Sequence, residues 1–401
     1  MDRRQFLRAT AAAALAAPTL SFSSRLFAAP ASTPRFLLVF LRGGYDCNNL
    51  LVPCGSDFYY ASRPTLAIAR PDPGNPDSAV ALDTGWGLNP VVRDSLLPLW
   101  QKKQLAFIPF AGTNDLTRSH FETQDHIERG EPLGPVANYR SGFLARLSGV
   151  LDKATPAIAF TNNLPLSFQG ARHDIPNISL KGDPKAHFDE RQAAILAGMY
   201  KGTPLAQASA DGLALPKTVS ADLRNEMIAA SRGAPSAHNF AAETRRIATL
   251  MRDQYRLGFV DVGGWDTHVN QGSTKGGLAY NLKNLGEGLA AYADAMGDDW
   301  NDTTVVVLSE FGRTFRENGD RGTDHGHGTV HWVLGGKVAG GRIAGEQLAV
   351  TQPNLFQNRD YPVLNDYRDV LGGLFARLWG LNAGQLQTVF PQARPRDLRL
   401  V

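Results

Sequence analysis

Cysteine is scarce in this 401-residue chain: Cys47 and Cys54 are the two present. A disulfide framework is thereby excluded, and the pair leaves open either one local bridge or two separate thiols. No stretch supplies the roughly 20 consecutive apolar residues that a membrane helix needs, so no stable membrane span is expected. A surplus of one charge is missing too. With residues 1–31 set aside, which removes four arginines and one aspartate, 37 basic and 37 acidic residues remain. That balance, without clustered Lys and Arg, argues against nucleic acid as a partner. Internal repeats and long low-complexity tracts are also lacking.

What is present begins with an address. Met1-Asp2-Arg3-Arg4-Gln5-Phe6-Leu7-Arg8 carries a paired arginine before Phe-Leu, and an alanine-rich apolar run follows from Ala9 to Leu20. Ala29-Pro30-Ala31 then offers a small-x-small cleavage site. Residues 1–31 thus read as a twin-arginine signal peptide, with the mature chain starting near Ser32 and the twin-arginine translocation machinery as a partner. The expected destination is the periplasm or the exterior. Because that route carries folded proteins, a cofactor inserted before export is in keeping with it.

Residues 32–401 are long enough for one large α/β domain. Phe36–Leu41, Leu105–Phe110, Leu257–Val262 and Thr303–Leu308 are apolar runs that end in turn or polar residues, the pattern of buried strands in a mostly parallel sheet. Leu278, Leu282, Leu285, Leu289 and Tyr292 form one helical stripe, and Phe240, Ile247, Leu250 and Tyr255 another. Strands alternating with amphipathic helices predict a doubly wound sheet, helices on both faces. The stretch 132–235, rich in Pro, Gly, Ala and Ser, reads as an irregular insertion or cap beside that sheet.

Ligands of open parallel sheets gather at the carboxyl ends of the strands. There the sequence places Asp46 after the first run, Asp266 and His268 after Leu257–Val262, and Glu310 after Thr303–Leu308, with Asp324, His325 and His327 in a loop beyond. Carboxylate oxygen and imidazole nitrogen drawn from several elements suit a divalent metal, zinc first, with manganese, magnesium or calcium also admitted. A nucleophile is sought at Ser119 or Thr117, before a helix whose first N–H groups favour an anion, although Ser119-x-x-Glu122 is equally a capping box. Arg118 and Arg313 are candidates for binding an anion. His331, on a strand, is expected in the core. His120, His126, His173, His187 and His238 read as solvated or structurally bonded.

Leu-Arg-Gly-Gly-x-Asp at 41–46, Arg-Ser-His-Phe-x-x-Gln-Asp at 118–125, Gly-Gly-Trp-Asp-Thr-His at 263–268, Ser-Glu-Phe-Gly-Arg-Thr at 309–314 and Thr-Asp-His-Gly at 323–326 together resemble the exported family known as domain of unknown function 1501. The resemblance implies a three-layer α/β/α fold of the alkaline-phosphatase and sulfatase kind. It also implies Asp46 on one metal, Asp266 with His268 on another, Glu310 following a later strand, and a last histidine at His325 or His327. Phe311 stands where the superfamily often has a histidine ligand, and no Cys-x-Pro-x-Arg-like sulfatase motif follows either cysteine. The function expected is a periplasmic metal-dependent hydrolase of phosphate or related esters, acting on a small molecule or glycan. The alternatives are a non-catalytic metal-binding or structural envelope protein and, less suited to export, a phosphate-shifting mutase.

Overall fold

A computed structural model describes residues 34–134, 136–151, 155–179 and 227–401. Residues 1–31, read above as a signal peptide, and much of the 132–235 stretch lie outside them. In chain order the strands are β1 (Arg35–Leu41), β2 (Leu51–Val52), β3 (Val80–Ala81), β4 (Gly87–Leu88), β5 (Leu105–Gly112) and β6 (Ala157–Phe160). They continue as β7 (Leu257–Val262), β8 (Thr303–Ser309), β9 (Thr329–Gly335), β10 (Arg342–Ile343) and β11 (Asn365–Asp366). The main sheet runs β10-β5-β9-β8-β1-β7-β6, with β11 also on β5, while β2, β4 and β3 make a small antiparallel sheet.

β1 shows why the sheet has a helical layer on each face. Leu37, Val39 and Leu41 pack with Ile247, Met251, Leu282 and Leu285, whereas Phe36, Leu38 and Phe40 pack with Phe143, Leu147, Tyr367 and Phe375. Successive side chains of a strand point to opposite faces, so a strand covered on both sides has to be apolar throughout. Its register is parallel to both neighbours, Leu38 lying opposite Phe259 of β7 and Val306 of β8. The result is the expected three-layer α/β/α architecture with a mostly parallel sheet.

The helix Gly277–Met296 buries Leu278, Leu282, Leu285, Leu289 and Tyr292 as its stripe predicts. Each such side chain contributes about 1.5–3 kcal/mol by leaving water. The helix Phe240–Asp253 buries Phe240 and Ile247 and half-buries Leu250. Tyr255 falls beyond that helix, because the chain leaves helical geometry at Gln254 to enter β7. Among the described residues no helix is long and apolar enough to cross a membrane.

Two features depart from the sequence reading. Part of the supposed insertion belongs to the sheet: Ala157–Phe160 pairs in parallel with β7, its short run of four too brief to stand out in a Pro- and Gly-rich context. β9 is antiparallel to both β5 and β8. A strand of reversed direction begins at the edge where its neighbours end, so the loop 323–328 leading into β9 joins the carboxyl ends of the parallel strands. Both cysteines are buried and unpaired, and burial pushes the Cys47 thiol up to about 12 and that of Cys54 to about 11.

His331 lies on β9 opposite Ile108, buried, with its Nε2 making no hydrogen bond. Burial pulls its pKa from 6.5 down to about 4, the charge of Asp366 opposing weakly. The unfolded chain therefore binds a proton between pH 6.5 and 4 that the folded chain refuses, and stability falls as pH falls through that window. His331→Leu should remove about 2 kcal/mol of the loss between pH 7 and 4.5, read by urea unfolding at both pH values. An unchanged loss would contradict this account.

Candidate metal centre

Four loops bring the site together. The turn after β1 contains Gly43 at φ +125, where a Cβ would stand 2.6 Å from the backbone nitrogen of Asp266. Only glycine permits that approach, so the first and the β7 loops are in direct backbone contact. The β7 loop presents Asp266 and His268, the β8 loop Glu310 and Arg313, and the loop before β9 Asp324 and His325. The helix His120–Arg129, capped by Ser119, brings His120 from the end of β5.

Three imidazoles converge through Nε2. His120 Nε2 lies 2.8 Å from His325 Nε2, and His268 Nε2 lies 3.0 Å from the same atom. Asp266 joins them at 2.9 Å from His268 Nε2, 3.2 Å from His325 Nε2 and 3.4 Å from His120 Nε2. His120, Asp266 and His325 offer ligand atoms within 4.8 Å of one another. Each ring meets an oxygen through its other nitrogen: His120 Nδ1 is 2.8 Å from Glu310 Oε1, His325 Nδ1 is 3.0 Å from Arg118 O, and His268 Nδ1 is 3.4 Å from Asp324 Oδ1. An oxygen acceptor at Nδ1 favours the N–H at that nitrogen and leaves Nε2 facing the common centre. Arg118 sits at φ +53, a conformation non-glycine residues rarely adopt, and from it gives its carbonyl to His325.

The charges match this wiring. Burial alone would raise the Asp266 carboxyl, but the Arg313 guanidinium and hydrogen bonds from His120, His268 and His325 hold it well below the usual range. Burial opposes charging of His120, yet hydrogen bonds to Asp266 and Glu310 raise it to about 9. His325 is lowered by burial, with Asp266 opposing and Arg313 and His120 adding to the fall. One N–H···N bond joins His120 to His325. Asp266 Oδ2 is buried without a hydrogen bond. The donors of His120, Asp266 and His325 fit a divalent ion, and imidazole nitrogen with carboxylate oxygen suits a borderline metal.

The residues expected from sequence divide three ways. Asp266, His268 and His325 come together. Glu310 and Asp324 stand behind them, orienting His120 and His268. Asp46 and His327 have other partners. Asp46 faces the fully buried Arg63 with both oxygens, at 2.5 and 3.0 Å, and takes Gln271 Nε2 at 2.6 Å, so its lone pairs are consumed. His327 packs its ring on Phe356, centroids 5.1 Å apart. Arg313 is 1 % exposed and directs its donors to Gly43 O, Gly44 O, Trp265 O, Thr323 O, His268 and Asp266, which leaves none for a substrate anion. Thr117 is exposed, and its hydroxyl meets Thr123 Oγ1 at 3.4 Å. Ser119 Oγ caps its helix through a long 3.5 Å contact with Glu122 N. Phe311 packs beside the rings of His120 and His325, centroids at 4.9 and 5.2 Å, so an apolar face closes one side.

His120 is the residue that sequence reasoning missed. The signal was its position at the head of the helix after β5, inside the Arg-Ser-His-Phe-x-x-Gln-Asp motif, where attention fell on the neighbouring serine. Gln124, one turn on, also went unread; it donates to Glu310 at 2.9 Å and accepts from Arg42 at 2.9 Å, holding the carboxylate that holds His120.

Residues 33–390 match the model of a family described as protein of unknown function, DUF1501. A search of the curated proteins finds no match. Among solved structures, a protein in the alkaline phosphatase superfamily from Vibrio parahaemolyticus overlays with a TM-score of 0.41 at 11% identity, covering 92% of this chain and 71% of its own. Ps i-CgsB, solved with k-i-k-neocarrahexaose, overlays at 0.44 and 11% identity, covering 88% and 74%. A 2-O GAG sulfatase overlays at 0.37 and 10% identity, covering 91% and 76%.

The Asp46–Arg63 pair separates a structural carboxylate from a ligand. Asp46→Ala strands a buried guanidinium and should cost about 3–5 kcal/mol in denaturant unfolding, while metal uptake per folded chain stays at the wild-type level. Loss of metal with unchanged stability would return Asp46 to the ligands.

Proposed function

The chain belongs to that DUF1501 family, and we propose that it is an exported metal-dependent hydrolase of phosphate or related esters, with zinc held by His120, His268, His325 and Asp266. The observation that carries the reading is the convergence of three Nε2 atoms on one carboxylate, each Nδ1 tied back to an oxygen. That is how imidazole ligands are oriented for a metal. A divalent ion there supplies Lewis-acid polarisation of an ester oxygen. Glu310 and the Arg118 carbonyl fix the tautomers of His120 and His325. Arg313 keeps Asp266 ionised and pins the loops that carry it. Phe311 excludes water from one flank. Ser119, half-buried beside His120 and only weakly engaged as a cap, is the hydroxyl placed to act as nucleophile. Export by the twin-arginine route to the periplasm, supported by Arg3-Arg4 and the apolar run behind them, would bring small-molecule or glycan esters within reach.

One observation favours a second reading, a metal-binding envelope protein without turnover: Arg313, the arginine expected to meet an anion, is sealed from solvent and fully engaged. The test is hydrolysis of p-nitrophenyl phosphate and p-nitrophenyl sulfate by zinc-loaded protein, with and without chelator. Zinc-dependent turnover abolished by His120→Ala is expected; stoichiometric zinc with no turnover on either ester would decide for the second reading. Glu310→Gln should weaken zinc affinity about 10- to 100-fold by releasing the His120 ring, measured by competition with a chromophoric chelator. Wild-type affinity in that variant would contradict the orienting role.

A further inference from the structure

The arginines around the centre are not equivalent. Arg63 and Arg313 are sealed in the interior and saturated by carboxylates and carbonyls. Arg359 differs. Its side chain is 38% exposed, and its Nη2 donates at 2.9 Å to the main-chain oxygen of His325, the residue whose ring stands in the middle of the imidazole cluster. Its Nη1 donates no hydrogen bond among the described residues. Its Nε lies 3.8 Å from Asp360 Oδ1, an oxygen that is fully buried and accepts no hydrogen bond. Asp360 Oδ2 is taken by Arg118, at 3.0 Å from Nε and 2.6 Å from Nη2. Two guanidinium groups therefore share one carboxylate. Of the two, Arg359 is the more exposed; it also feels the carboxylate charge of Asp324 and is anchored to the backbone of a centre residue.

We propose that Arg359 binds the tetrahedral oxyanion of the substrate, a phosphate or sulfate group, at the mouth of the centre. The His325 carbonyl anchors one Nη2 donor, Asp360 Oδ1 stands 3.8 Å from Nε, and the outer N–H groups are left for the anion. A planar guanidinium meets two oxygens of such a group at once, which a lysine at the same place would not do. The inference rests on the hydrolase reading and deepens it, since it assigns the anion to a residue other than the sealed Arg313.

The experiment is titration of inorganic phosphate, and separately of sulfate, into the zinc-loaded full chain by calorimetry. Wild type, Arg359→Gln, Arg359→Lys and Arg316→Gln are compared, each checked first for zinc content and melting temperature. Arg316 is the control for surface charge, half-buried, stacked over Phe58 and bonded to Asn358 O at 2.7 Å. The expected result is anion binding weakened roughly 10-fold or more in Arg359→Gln, less in Arg359→Lys, and unchanged in Arg316→Gln, all with wild-type zinc. The anion bound more tightly names the ester class. Wild-type affinity in Arg359→Gln, equal weakening in Arg316→Gln, or no anion binding by zinc-loaded wild type would each overturn the assignment. A chain that takes up no zinc would show at the first check, and there the metal centre itself fails.

Discussion

The ion pair between Asp266 and Arg313 is the constraint from which the rest of the site follows. Both side chains are buried, at 1% exposure or less, and neither charge is tolerable there alone. The guanidinium satisfies its remaining donors on main-chain oxygens of Gly43, Gly44, Trp265 and Thr323. Those oxygens belong to the loops after β1 and β7 and the loop before β9. One buried charge thus ties three separate strand-end loops to a single carboxylate, and it is against that carboxylate that the three imidazoles are arranged.

The same packing shapes the surroundings of the cluster. Asp46, the carboxylate nearest in kind, is closed by Arg63, and Phe311 places an aromatic face against His120 and His325. Positive charge is supplied by the fixed Arg63 and Arg313, and the imidazole Nε2 atoms face one another beside Asp266.

Sequence made the sheet legible because a strand covered on both faces must be apolar along its length; Phe36–Leu41, Leu257–Val262 and Thr303–Leu308 stood out for that reason. It could not give the direction of β9, since an apolar run carries no sign of which way it runs, nor the edge strand Ala157–Phe160, whose four residues sit among prolines and glycines. Asp266, His268 and His325 were legible from their place after strand ends. Asp46 shared that placement and was misjudged, because only the fold shows that Arg63, 17 residues on, closes over it. His120 was hidden by the opposite effect. A histidine at a helix start has no local mark of function, and its partners, Glu310 and His325, are 190 and 205 residues away.

The central claim is that His120, His268, His325 and Asp266 make one metal centre, and zinc K-edge absorption spectroscopy on the zinc-loaded full chain tests it most directly. The account predicts about one zinc per chain in a first shell of three imidazole nitrogens and one carboxylate oxygen, at about 2.0–2.2 Å. The imidazole scattering should be reduced by one ring in His120→Ala. A shell dominated by oxygen, or an unchanged ring count in that variant, would contradict it.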